Sequence, residues 1–108
     1  MKKNNEMTDV FSCFDKAGKL KNAQAFRSEI GRLKSSGRFG SFFDRVVKER
    51  KPDEAIWFVD AALQSGIKGG DDEFDYMVSA MIRSNQPWLR SASILIRKEA
   101  EIKSGRKG

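Results

Sequence analysis

The sequence predicts an all-α domain built from three stacked antiparallel helical hairpins. Apolar residues recur at helical spacing along most of the chain, as in Phe74, Met77, Val78, Met81 and Ile82, which puts them on one face of a 3.6-residue turn. No segment sustains the period-two alternation of a half-buried strand. Gly, Ser and Pro clusters interrupt the helical runs near Gly37–Gly40, Pro52, Gly66–Asp72 and Pro87. Short connections of this kind force neighbouring helices antiparallel. A pair with one apolar stripe per helix buries both stripes only by stacking on another pair, which is the logic of a short α-solenoid.

With 108 residues the chain makes one domain. Its expected extent is 8–103, with a flexible N-terminus at 1–7 and a mobile basic tail at 104–108. Thr8 is placed to cap a first helix carrying Val10, Phe11, Phe14 and Ala17, which Gly18 ends. The second helix carries Leu20, Ala23, Phe26, Ile30 and Leu33 and stops at Ser35-Ser36-Gly37. Ser41 is the expected cap of the third, whose stripe is Phe42, Phe43, Val46 and Val47, with Asp44 near the positive end of the helix dipole. Pro52 suits the first turn of the fourth, where its missing N–H costs nothing. That helix shows Ala55, Ile56, Phe58, Val59, Ala62 and Leu63, and Gly66 closes it. Asp71 or Asp72 caps the fifth. Pro87 opens the sixth, with Trp88, Leu89, Ala92, Leu95 and Ile96 apolar.

Composition narrows the function classes. There is no His, so the commonest general base and the commonest metal ligand are missing. A single Cys13 in an apolar run gives neither a disulfide nor a zinc pair and reads as a small hydrophobe. The acids at Asp53-Glu54 and at Asp71, Asp72, Glu73 and Asp75 sit at helix starts, where the dipole favours them. Expected catalytic residues, metals and cofactors are therefore none, and the chain does not read as an enzyme or offer an evident small-molecule site. No run approaches the ~20 apolar residues of a membrane span, so no membrane partner is expected. Met1–Met7 has lysines but no apolar run behind them, unlike a secretory signal.

Charge is distributed in blocks. The net value is +6, made of +7 over residues 1–52, −6 over 53–82 and +5 over 83–108. Basic ends around an acidic middle point to an anionic partner; a surface that balances its charges within the fold is the alternative.

The turns between paired helices resemble one another. Phe14-Asp-Lys-Ala-Gly-Lys-Leu-Lys-Asn-Ala23 aligns with Val46-Val-Lys-Glu-Arg-Lys-Pro-Asp-Glu-Ala55, 32 residues on, and Met81–Pro87 offers a third version, with its proline 35 residues after Pro52. Together with Ser65-Gly-Ile-Lys68 and Glu73–Ala80, these residues resemble a pentatricopeptide repeat, or the related tetratricopeptide repeat. The first resemblance implies binding of single-stranded RNA, one base per repeat, read by side chains on the first helix of each pair and at the repeat's end. Asp75 and Gly40 stand where that family has Asn, Thr or Ser, and Gly70 where it has Asp or Asn; a glycine has no side chain to read a base edge. The second resemblance implies a protein-interaction module, or a small subunit of a larger complex.

The candidate nucleic-acid contacts are Arg38, Arg45, Lys48, Arg50, Lys51, Arg83 and Arg90, which can track a phosphate backbone. Arg27, Arg32, Lys34, Arg97 and Lys98 extend the basic set. Trp57 and Trp88 flank their stripes and are candidates for stacking on a base or anchoring a partner, against the alternative of packing on a neighbouring pair. RNA is the first expected partner and a protein the second. A helix-turn-helix DNA binder is disfavoured, because no helix is both basic and short-polar along one face.

Overall fold

The computed structural model describes residues 6–103, so most of the expected flexible termini lie outside the described residues. Six helices follow in order: α1 (Glu6–Phe11), α2 (Ala23–Ser35), α3 (Phe39–Glu49), α4 (Pro52–Gln64), α5 (Asp72–Arg83) and α6 (Pro87–Lys103). The all-α fold class is as expected, and the chain breaks where its Gly and Pro residues predict.

Four local expectations are corrected. Thr8 does not cap α1, which begins two residues earlier, and the helix does not run to Ala17. It stops after Phe11, because Asp15 holds the chain in a tight turn. The Asp15 carboxylate accepts from Ala17 N–H at 2.8 Å and Lys19 N–H at 2.9 Å. A short Asp side chain competes with the helix for backbone donors in this way. Gly18 turns the chain at φ +88, and Phe14 and Leu20 meet in an isolated antiparallel bridge. Leu20 therefore lies before α2, which Asn22 caps by accepting from Ala25 N–H at 3.1 Å. Ser41 does not cap α3: the helix starts at Phe39, and the Ser41 hydroxyl donates to the Arg38 carbonyl instead.

The other ends follow their sequence signals. At Gly37 (φ +72) the Arg38 N–H reaches back to the Leu33 carbonyl at 2.9 Å, which satisfies an orphan acceptor of the last turn. Ile67 N–H closes α4 on the Ala62 carbonyl in the same fashion, at 3.1 Å. Pro52 is the first residue of α4, and Glu54 accepts from Lys51 N–H. Asp71 takes the position before α5, but its carboxylate accepts from Lys68 N–H at 3.0 Å in the preceding loop and caps no α5 donor.

The helices pack in two rows. α3 lies on α5, while α2 lies on α4 and α4 on α6, with α3 and α5 also packed against the second row. Counterparts share burial along each row. Phe39, Phe42, Phe43 and Val46 of α3 are buried, and so are Phe74, Met77, Val78 and Met81 of α5, each 35 residues on. Counted from the first helical residue, Phe26, Ile30 and Leu33 of α2 correspond to Ala55, Val59 and Ala62 of α4, and all six are buried. Phe58 sits at the centre, its ring 5.6–6.4 Å from those of Phe11, Phe26, Phe39, Phe42 and Phe43.

α6 departs from the expected pattern. Leu89 is buried and Ala92 and Ile96 are half-buried, but Trp88 and Leu95 are exposed. Ser93 takes the inward position, its hydroxyl donating to the Arg90 carbonyl at 2.7 Å. Ile82 of α5 is also more exposed than its place in the stripe predicts.

Candidate functional site

The candidate bases divide into paired and unpaired groups. Arg45 pairs with Glu49 at 3.2 Å along α3. Arg50 pairs with Glu54 at 2.9 Å and lays its guanidinium over the Phe11 ring, 4.4 Å from the centroid. Arg83 comes within 4.0 Å of Asp44 and stands over Tyr76. Arg38 donates to the Ser36 hydroxyl at 3.0 Å. Lys48, Lys51, Arg90, Arg97 and Lys98 are exposed and form no ion pair with the described residues.

The solvent face of α3 and α5 carries both signs. Arg45, Lys48 and Arg83 share it with Asp44, Glu49, Asp72 and Asp75, all exposed. Four carboxylates among three bases present no continuous positive track to a polyanion. The two helices are instead joined to each other: the Tyr76 hydroxyl donates to Asp44 at 2.7 Å, which holds the phenol proton and pushes its pKa up. Gly40 permits this approach, since a Cβ there would lie 2.9 Å from the Tyr76 ring.

Other displaced titrations also have structural causes. Burial pushes the Cys13 thiol up, and nearby Glu29 and Asp9 add to it. The Lys19 amide beside Asp15 holds its carboxyl below the usual range. These groups lie in separate parts of the fold. A shallow cavity of about 280 Å3 lies between the ends of α4 and α6, walled by Leu63, Ile67 and Ile96 with Lys68 and Glu99 also lining it. Its walls offer apolar contact and no convergent set of polar groups.

The two tryptophans differ. Trp57 is half-buried, packed against Gly18 and 6.1 Å from the Phe14 ring. It locks the Asp15 turn onto α4, the packing alternative to an outward anchor. Trp88 faces solvent at 52% exposure and has company: Ile94 at 60%, Leu95 at 67% and Ile102 at 75%. Trp88, Leu95 and Ile102 are seven residues apart, so they form one stripe along α6. Nothing in the fold demands apolar residues there. Counted from Pro52 and Pro87, the counterparts of Trp88 and Leu95 in α4 are Asp53 and Asp60, both exposed acids. Sequence reasoning found Trp88 and missed the stripe, because α6 is apolar on more than one face and periodicity does not say which face the neighbours cover.

The chain matches no family model, no curated protein and no solved structure. The functional reading rests on the geometry.

Proposed function

We propose that this protein is a non-catalytic helical-repeat module that binds a protein partner through the outward stripe of α6. The observation that carries this is the run of Trp88, Leu95 and Ile102, all exposed, the first two at positions where α4 presents acids. Single exposed apolar residues are ordinary, but three aligned along one helix face with a tryptophan at one end have the composition of an interface centre. The family resemblance and the shared burial of counterpart residues support the repeat reading.

A photo-crosslinking side chain at position 95 tests it in cells. Cross-linking to a protein from position 95, and not from an exposed control at position 48, is the expected result. RNA binding is the second reading, favoured by the net charge of +6 and by the unpaired Lys48, Lys51, Arg90, Arg97 and Lys98. If position 48 cross-links to RNA and position 95 to nothing, that reading replaces the first. RNA affinity would then fall with salt at about 0.7 decades per decade for each phosphate contact.

A further inference from the structure

We infer that the cleft between the Asp15 turn and α4 binds a small zwitterion, a free amino acid with an apolar side chain. The cleft has a volume of about 340 Å3. The turn supplies Gly18, Lys19 and Leu20 to its walls, and α4 supplies Trp57, Asp60 and Gln64. None of these residues belongs to the α6 stripe, so the site is independent of the partner reading above.

The first hairpin is joined differently from the other two. Residues 50–51 turn α3 into α4 and residues 84–86 turn α5 into α6, whereas residues 12–22 separate α1 from α2. The added length is held in place. Asp15 N–H donates to the Lys19 carbonyl at 2.8 Å and Lys21 N–H to the Cys13 carbonyl at 2.8 Å, beside the contacts of the Asp15 carboxylate. Loops fixed on a rigid scaffold are where binding residues concentrate. On the facing wall, Trp57, Asp60 and Gln64 are spaced i, i+3, i+7, which sets them on one face of α4. The Gln64 amide N–H donates to the Asp60 carboxylate at 3.0 Å, which orients the carboxylate and leaves the amide oxygen to accept. Gly18 and Phe14 pack against the indole of Trp57.

Opposite charges line this one cleft without pairing. Neither the Lys19 ammonium nor the Asp60 carboxylate forms an ion pair with the described residues. Asp15 feels the charge of Lys19, but the amides of its own turn engage its carboxylate. A lone anion in the cleft meets the ammonium and is repelled by Asp60. A lone cation meets Asp60 and the indole and is repelled by Lys19. A molecule carrying both charges satisfies the two walls together. Its ammonium takes Asp60, the Gln64 oxygen and the Trp57 ring, and its carboxylate takes Lys19. Its side chain then lies against Leu20 and Trp57. The cleft is at the lower end of the ~300–1,000 Å3 of ligand sites, which suits one amino acid and not a dinucleotide.

Trp57 fluorescence in a Trp88→Phe background reads the site, because that variant keeps one tryptophan. Titration with L-leucine should give a saturable change with a Kd of about 0.1–1 mM. N-acetyl-L-leucine lacks the ammonium and L-leucinamide lacks the carboxylate. Each should bind at least about tenfold more weakly, having lost one charge-assisted contact. L-leucine should lose affinity by the same factor of about ten or more in Asp60→Asn and in Lys19→Gln. Both positions are exposed, so the circular dichroism and melting temperature of these variants should match the parent. No saturable change with L-leucine, L-methionine or L-phenylalanine up to about 20 mM overturns the inference. L-leucinamide binding as tightly as L-leucine would make this a cation site and overturn it too. An affinity indifferent to both substitutions would place the amino acid elsewhere on the protein, with the same consequence.

Discussion

At Gly18 the backbone and the packing demand the same residue. The φ of +88 favours glycine, and an added Cβ would lie 2.3 Å from the Trp57 indole. Gly37 has a similar φ of +72 but open space around it. Gly18→Ala should therefore cost about 2–4 kcal/mol, combining a left-handed backbone with overpacking, and Gly37→Ala only about 1–2 kcal/mol. Urea denaturation of the two variants separates the contributions; equal losses would show that Trp57 yields freely. Asp15 in the same turn predicts a pH dependence. Its folded-state pKa is depressed, so the folded form binds the proton less readily than the unfolded form. Its contribution is present above the unfolded-state value, near 3.9, and is lost as pH falls through the folded-state value. The stability difference between wild type and Asp15→Ala should thus be steady from neutral pH to about pH 5 and shrink in more acidic solution. Thermal melts across that series measure it.

Between helices, the basic residues have unequal roles. Arg50 bridges α3 and α4 through Glu54 and covers Phe11 with its guanidinium. Lys48, two residues earlier, is exposed and has no such contact. Arg50→Ser should destabilise by about 1–2 kcal/mol, from a half-buried cation–π contact and an ion pair, whereas Lys48→Ser should fall within about 0.5 kcal/mol of wild type. Chemical denaturation checks both, and the result bears on function. A loss of RNA binding in a variant lacking Arg45, Lys48, Arg50 and Lys51 together would mix lost charge with lost stability. Lys48→Ser with Lys51→Ser is the cleaner probe of a phosphate track.

Across the whole domain, Phe58 is the point where the rows meet. Its ring touches the aromatic cluster contributed by α1, α2 and α3 from its own place on α4, and it is fully buried. Phe58→Ala should cost about 3–5 kcal/mol, a large share of the ~5–15 kcal/mol that holds a small domain folded. Differential scanning calorimetry should show the loss in a single lowered transition. Two transitions would mean that the helix pairs unfold independently. The surface obeys a different rule. Trp88, Leu95 and Ile102 contribute little to the core, so their substitution should leave the melting temperature near that of wild type while altering partner binding.

The helical content and most helix boundaries could be read locally, because glycine, proline and 3.6-residue periodicity act over one or two turns. Pro52, Pro87, Gly37 and Gly66 mark their helix ends for reasons written in their own covalent structure. The stripes of α3, α4 and α5 were legible for the same reason, each helix having one dominant apolar face. Where several local solutions compete, neighbours decide. The run Val10–Ala17 is compatible with helix, yet Asp15 and the Trp57 contact favour a turn. Arg45, Arg50 and Arg83 look alike in sequence to Lys48 and Lys51, and the distances to Glu49, Glu54 and Asp44 distinguish them. In α6, apolar residues occupy faces more than 100° wide, so periodicity leaves the buried side open. Packing against α4 and α5 covers Leu89, Ser93 and Ile96 and leaves Trp88, Leu95 and Ile102 in water, because burial depends on which other helix is near, and no single helix carries that information.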